Sequence, residues 1–373
     1  MIIKNGLVLN NDFIFENKDI AFNDKITDIE NNIDSIDFFD ASDCYVIPGL
    51  VDTHMHAAMG KTFLDFDSDT AKTICEFEAK NGTTSLVPAL SAATEDKMLA
   101  ATNNIVRESK NNYGTKLMGI HLEGPYFSLK YKGAHLPKNI RTPDKAEFDR
   151  LFDEGEGMIK IITMAPELEN GIEVIEHIVK KGVTVSVGHS DAKFSETIKA
   201  FDAGATQTTH TFNAMSPLNH REPGVVGAAM INKDTTCELI CDFFHVCPEV
   251  IKLLIDIKGT DKVTMITDSE VGTGLPDGKY NVNGRILTVT DKKTYTEDGT
   301  IAGGSSVLLD GVKNLVSIGI PLAEAVKMAS KNGAVAAKIY DKVGSLDIGK
   351  DADILVLDKS LNIKKVFING KEI

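Results

Sequence analysis

The sequence predicts an α/β protein: a (β/α)8 TIM-like barrel carrying a small β-sandwich domain built from both chain ends. Three observations predict it. Eight apolar, strand-like runs alternate with segments of helical length, the pattern of a parallel sheet with helical crossovers. Residues 1–48 and 345–373 read instead as short alternating runs between turn signals. Six of the predicted strands end on a histidine, aspartate or glutamate, and in a barrel those ends share one face.

Length and composition bound the answer. The 373 residues imply about 2.5 domains at ~150 residues each, and single barrels reach ~250, so one large and one small unit fit. A hydrophobic content of 42% with 25% charged residues is the ordinary globular mix. Forty Lys and Arg against 54 Asp and Glu leave a net charge of −14, which excludes a general nucleic-acid or anionic-membrane surface. An anionic substrate then needs a local basic pocket. No apolar run approaches the ~20 residues that span a bilayer, and MIIKNGLVLNNDF lacks a signal-peptide core, so a cytoplasmic chain is expected. Five scattered cysteines do not make a disulfide framework and suit a reducing compartment.

In chain order, IIKNG, LVLNND and DIAFNDKITDIE open the small β unit, and GSLDIGKDADILVLDKSLNIKKVFINGKEI completes it with Asp-Lys and Asn-Gly turn signals. The barrel occupies residues 49–344. Its strands are expected at Val46–Asp52, Ser85–Leu90, Lys116–His121, Ile159–Ala165, Val183–Gly188, Ala205–Thr209, Cys237–Asp242 and Val263–Thr267. Asp69–Lys80, Thr94–Ser109, Leu168–Lys181, Ala192–Ala203 and Pro248–Ile257 carry the i, i+3/i+4 apolar spacing of helices. Asp277–Thr300 reads as a β-hairpin excursion, and Ser306–Ser317 and Pro321–Ala337 as closing helices.

The strand ends VDTHMH, GIHLEGP, SVGHS, TTHTFNAM, ICDFFH and ITDSE bring His54, His56, Glu123, His189, His210, His245 and Asp268 to one mouth. One such histidine could simply brace the core; six coincident strand ends argue for a site. Imidazole with carboxylate suits a borderline divalent cation such as Zn²⁺ or Fe²⁺, one or two per chain. His54 and His56 are two apart and project to one face of an extended segment. Two histidines and one carboxylate leave an open position for water, and Asp268 is placed as the acid/base beside it.

PGLVDTHMH, GIHLEGPY, KGAHLP, VGHSDA, THTFNAMSPLNHREPG, DFFH, ITD and DGTIAGGSS together resemble the amidohydrolase superfamily. Within it they are most similar to the N-acetylglucosamine-6-phosphate deacetylase family, over essentially the whole chain. The resemblance implies a catalytic metal on Glu123, His189 and His210, with Asp268 as catalytic acid/base. It makes His54 and His56 a possible second metal position bridged by Glu123. It gives His135, beside Ala134, to the acetamide oxygen, Asn213, Ala214 and Arg221 to a phosphate, and His245, Ile301, Ala302 and Gly303 to the sugar. The implied reaction hydrolyses the N-acetyl group of a phosphorylated N-acetyl amino sugar. The gluco form is favoured, the galacto epimer is the alternative, and a homodimer or homotetramer is implied. Ala57-Ala58, Ser269-Glu270 and one additional glycine in AGGSS depart from the family pattern.

A second class of reading makes Cys237, Cys241, His245 and Cys247 a structural zinc site in a non-catalytic binding protein. The C-x2-C knuckle is absent, and Cys237 and Cys241 share one apolar run where they fill a core more simply.

Overall fold

In the computed structural model the described residues are 1–64, 69–282, 285–291, 293–297, 299 and 301–373. The two chain ends form one mixed sheet. Its order is Lys371–Glu372, Ile363–Ile368, Ile354–Leu357, Tyr45–Pro48, Ile2–Leu9, Phe15–Phe22 and Ile26–Glu30, with Phe39–Asp40 beside Ile2–Leu9. The first turn is fixed by Asn10, whose Oδ1 accepts the N–H of Asp12 and Ile14. The ends of the chain are joined where Tyr45–Pro48 pairs antiparallel with Ile354–Leu357. Alternate residues of these strands, among them Ile3, Val8, Ile20, Val46, Ile354, Val356 and Phe367, build a separate apolar core. Phe22 and Phe367 touch with ring centroids 5.1 Å apart, although three strands separate theirs in the pairing order.

The eight predicted strand positions all form, as a curled parallel sheet in two ladders. Leu50–Asp52, Thr83–Leu86 and Lys116–Leu117 make one. Ala89–Ser91, Ile120–Glu123, Ile159–Met164, Thr184–Val187, Gln207–Thr208, Thr236–Ile240 and Val263–Ile266 make the other, paired in chain order. The ladders part around Pro88, which has no N–H to donate. The last strand returns to the first: Asp268 N donates to His54 O at 2.8 Å and His56 N to Ser269 O at 2.9 Å. Helices Thr70–Lys80, Glu95–Glu108, Gly171–Lys180, Phe194–Asp202 and Pro248–Lys258 fall where the apolar spacing placed them.

Several elements differ from expectation for identifiable reasons. Val46–Asp52 is two strands, one in each sheet, divided at Gly49, where a Cβ would lie 2.1 Å from Thr84 Oγ1. Pro321–Ala337 is two helices, Leu322–Ala329 and Lys331–Ala336, broken at Ser330. Helix Lys145–Glu154 was not anticipated, although Asp144 caps it by accepting Glu147 N. Neither was Gly224–Ile231, which is apolar all round and so lacks a helical period. The excursion after the last parallel strand is a four-stranded antiparallel sheet, Gly278–Val282, Arg285–Thr290, Lys293–Thr296 and Ile301–Gly304. Thr300, the end of the expected hairpin, lies outside the described residues.

One ionic knot fastens the two sheets together. Lys116 Nζ, at the edge of the parallel sheet, lies 2.6 Å from Asp351 Oδ2 and 2.8 Å from Asp353 Oδ2. Lys25 pairs with Asp351 from the other side, and Asp353 also accepts Asn369 N. Asp353 is buried, so removing its cation strands a carboxylate away from water. Lys116→Met is expected to cost about 3 kcal/mol of unfolding free energy in denaturant titration. A loss under about 0.5 kcal/mol, the scale of a neutral surface change, would contradict this account of the junction.

Candidate active site

The predicted residues meet where the parallel strands end, on turns of unusual backbone. His189, His210 and Asp268 have φ of 50°, 30° and 47°, the left-handed region that non-glycine residues seldom occupy. Each strained turn is held by hydrogen bonds: Ser128 N to His189 O, Asn213 N to His210 O, and Asp268 N to His54 O. Left-handed turns directly after the strands send these side chains back over the sheet's end rather than along a helix.

Glu123 stands at the centre. Its Oε1 is 3.1 Å from His189 Nε2, 3.3 Å from His210 Nε2 and 3.3 Å from His54 Nε2. Its Oε2 is 3.3 Å from His56 Nε2 and 3.0 Å from His135 Nε2. Asp268 Oδ1 lies 3.4 Å from His54 Nε2 and 3.3 Å from His56 Nε2. Four of these imidazoles have their other nitrogen engaged. Nδ1 of His54 meets Glu238 Oε2 at 3.0 Å, that of His56 meets Ala89 O at 3.0 Å, that of His189 meets Tyr131 O at 2.8 Å, and that of His210 meets Asn213 O at 3.2 Å. Nδ1 is therefore the donor in each neutral ring, and Nε2 is a bare lone pair.

That arrangement sets acceptor against acceptor. His189 Nε2 and His210 Nε2 lie 3.1 Å apart, both facing a carboxylate oxygen, and the buried His54 Nε2 has no hydrogen-bond partner among the described residues. Only a proton or a metal cation reconciles such a set, and the donor types suit a borderline divalent ion. The residues therefore fit a metal on Glu123, His189 and His210, and a second on His54, His56, Asp268 and Glu123. The two halves are electrically different. Burial opposes charge on His56, but Glu123 and Asp268 overcome it and hold its pKa up to about 10. Burial wins at His189, whose pKa falls to about 4 and whose ring is neutral. Burial also works against ionised Glu123 and Asp268, yet the surrounding imidazoles keep both well below the usual carboxylate range.

The remaining predicted residues lie around this core at varying distance. His135 and Ala134 sit on the loop after Ile120–Glu123, and Gly133 of that loop is so close that a Cβ would come 3.1 Å from His189 Cε1. The Phe127 ring stacks on His189 at 4.2 Å. Asn213 and Ala214 lie three and four residues after His210, with Ala214 O accepting Ser190 N. Arg221 is exposed and is not brought to the cluster; its N–H bonds Asn219 Oδ1, while Glu222 is engaged by the N–H groups of Phe194 and Gly224. His245 is half-buried and tied through Nδ1 to Asp242 Oδ2 at 2.7 Å. Ile301 is exposed on the strand Ile301–Gly304; the backbone of Ala302 belongs to that strand, and its side chain lies outside the described residues.

Two departures from the family pattern prove to be one feature. A Cβ at Gly303 would lie 2.5 Å from Glu270 Cγ, so the glycine makes room for the carboxylate two residues after Asp268. Ala57 and Ala58 are buried in a short ladder, with Ser269 Oγ donating to Ala57 O. The cysteine reading fails on geometry: Cys237 is buried on the strand Thr236–Ile240 and Cys241 is buried just past its end, Cys247 is exposed, and His245 is committed to Asp242. Burial pushes the Cys241 thiol far up, away from the thiolate a metal needs. Two buried acids beside His54 lie outside the set of site residues that the sequence predicts. Glu238 contacts His54 from behind, and Asp52 accepts His54 N and Thr267 Oγ1. Glu238 was the more legible, as the lone charge in the apolar run CELIC.

Comparison with known proteins identifies the family. The amidohydrolase family model matches residues 45–373. N-acetylglucosamine-6-phosphate deacetylase of Lysinibacillus sphaericus is 32% identical over 100% of this chain and 97% of its own. N-acetylgalactosamine-6-phosphate deacetylase of Escherichia coli O157:H7 is 33% identical over 87% of this chain and 86% of its own. Among solved structures, a mutant N-acetyl-D-glucosamine-6-phosphate deacetylase from Mycobacterium smegmatis, in complex with N-acetyl-D-glucosamine-6-phosphate, superposes with a TM-score of 0.94 at 30% identity, covering 100% of this chain and 98% of that one. The chain belongs to the amidohydrolase family, and within it to the amino-sugar 6-phosphate deacetylases.

Proposed function

We propose that the chain hydrolyses the N-acetyl group of N-acetylglucosamine 6-phosphate, releasing acetate and glucosamine 6-phosphate. The observation that carries this is the set of imidazole Nε2 atoms converging on Glu123 and Asp268, in a chain similar along its whole length to deacetylases of that substrate. The parallel ladders are then the two parts of a (β/α)8 barrel spanning residues 49–344, closed where the strand ending at Asp52 meets the one ending at Ile266. Residues 1–48 and 345–373 form a β-sandwich, which accounts for Phe22 and Phe367 meeting across the sheet. No described helix is long and apolar enough to cross a membrane, and a cytoplasmic location suits the free cysteines.

The residues fit two divalent ions per chain, zinc or iron, on His189, His210 and Glu123 and on His54, His56, Asp268 and Glu123. Such ions, when bound, lower the pKa of water and polarise a carbonyl. Asp268 is the carboxylate of the cluster that reaches the mouth, with 15% of its side chain exposed. Held ionised by the imidazoles, it takes the proton of the attacking water and delivers it to the departing amine, which balances the hydrolysis. His135 Nε2 exchanges its Glu123 partner for the acetamide oxygen and donates where negative charge develops. Arg221, in no ion pair among the described residues, forks onto the phosphate beside the polar groups of Asn213 and Ala214. Because Arg221 stands away from its own cluster, we read it as serving a neighbouring subunit in a homodimer or homotetramer. His245, Ile301, Ala302 and Gly303 bound the sugar. The E. coli relative favours the galactosamine epimer as a second substrate.

Acetate release from N-acetylglucosamine 6-phosphate tests the reaction directly. Asp268→Asn should cost at least about 10²-fold in kcat with the fold intact; near-wild-type turnover would overturn its role. Arg221→Ala should raise KM for the phosphorylated sugar and leave the slow reaction of the unphosphorylated sugar unchanged. Equal kcat/KM for the two sugars in the wild type would refute a phosphate site. His54→Gln/His56→Gln should lose one metal equivalent by elemental analysis. Calorimetry in buffers of different ionisation enthalpy adds a pH test. At pH 7–9, ion entry should release protons from the His54/His56 half, since His56 titrates near 10 and must lose its proton to ligate. The same measurement on His54→Gln/His56→Gln should find fewer protons released, because His189 is already neutral and only water on the remaining ion is left to ionise.

A further inference from the structure

Glu238 sits at the middle of the strand Thr236–Ile240 with no exposed surface, a charge in an otherwise apolar neighbourhood. A carboxylate so placed is costly unless its oxygens are filled, and here three N–H groups fill them. Oε1 accepts Gln207 Nε2 at 2.5 Å. Oε2 accepts His54 Nδ1 at 3.0 Å and the backbone N–H of His210 at 3.3 Å. One oxygen thus holds a residue from each half of the proposed metal centre. Its effect on His54 is to keep the proton on Nδ1, which leaves Nε2 free to face Glu123 and Asp268. Its effect on His210 is to pin a left-handed turn at φ 30°, from which Nε2 reaches Glu123 Oε1. The opposite edge of His54 is confined by His121, whose ring lies edge-on at 4.6 Å and is itself fixed to Thr53 O and Thr163 Oγ1. Its two oxygens meet three N–H groups behind His54, on the side of the ring away from Glu123 and Asp268.

We propose that Glu238 is the positioning residue that couples the two half-sites, setting the His54 tautomer and the His210 turn through a single oxygen. It rests on the two-ion reading above, and the test separates the two. Glu238→Leu, which fills the volume without an acceptor, and Glu238→Ala are compared with Cys237→Ala, an equally buried truncation on the same strand. Competition titration of zinc into metal-free protein should find both ions weakened about 10–100-fold in the Glu238 variants. Glu238→Gln, which keeps one acceptor oxygen, should recover part of this, and Cys237→Ala should bind as the wild type does. In proton NMR of zinc-loaded protein, the downfield, slowly exchanging His54 Nδ1–H should vanish in Glu238→Leu and persist in Cys237→Ala. Wild-type affinity at both half-sites in folded Glu238→Leu would overturn the proposal, as would equal weakening in Cys237→Ala. One zinc per wild-type chain would sink the two-ion reading, while the His54 ring proton would still judge Glu238.

Discussion

With its rings neutral, the cluster around Glu123 sets Nε2 acceptors against carboxylate acceptors, and the rest of the site follows from that imbalance. Imidazole Nε2 atoms from four places in the sequence face carboxylate oxygens 3.1 to 3.4 Å away. In water such groups would be hydrated; buried, they repel one another unless positive charge sits among them. A fold that keeps this cluster together without a cation must spend stability on it, and one that binds a cation recovers it. The strained turns at His189, His210 and Asp268 are consistent with a scaffold that over-determines its functional residues.

The scaffold supplies that determination by layering. Parallel strands fix where each turn begins, and hydroxyl groups inside the sheet link strand to strand: Thr163 Oγ1 to Thr209 Oγ1 at 2.7 Å, and Ser186 Oγ to Thr209 Oγ1 at 2.6 Å. Behind the ligands stand carbonyls and acids that choose the histidine tautomers, Ala89 O, Tyr131 O, Asn213 O and Glu238 among them. Farther out, the sheet of the two chain ends is clamped to the parallel sheet through Lys116, Asp351 and Asp353.

What could be read from the sequence was whatever has a local cause. Eight apolar runs became eight strand positions because burial on both faces demands near-continuous apolar residues. Glu123, His189, His210 and Asp268 were legible because a ligand-type side chain ending each run is improbable without a purpose. What could not be read depends on distant neighbours. The break at Gly49 exists because Thr84 passes within 2.1 Å of where a Cβ would be. The link between Gly303 and Glu270 needs the strand Ile301–Gly304 laid beside residues 268–270. Glu238 announces itself only as a charge in an apolar run, and its partners His54 and His210 lie 184 and 28 residues away. Gly224–Ile231, buried on nearly every side, has no periodicity to betray a helix.

Anomalous diffraction from crystals of the zinc-loaded protein tests the shared-carboxylate centre most directly. The account predicts two peaks astride Glu123, one within about 2.0–2.2 Å of His189 Nε2 and His210 Nε2, the other at that distance from His54 Nε2 and His56 Nε2. A single peak that leaves His54 and His56 hydrogen-bonded to Glu123 and Asp268, or metal bound away from Glu123 altogether, would contradict it.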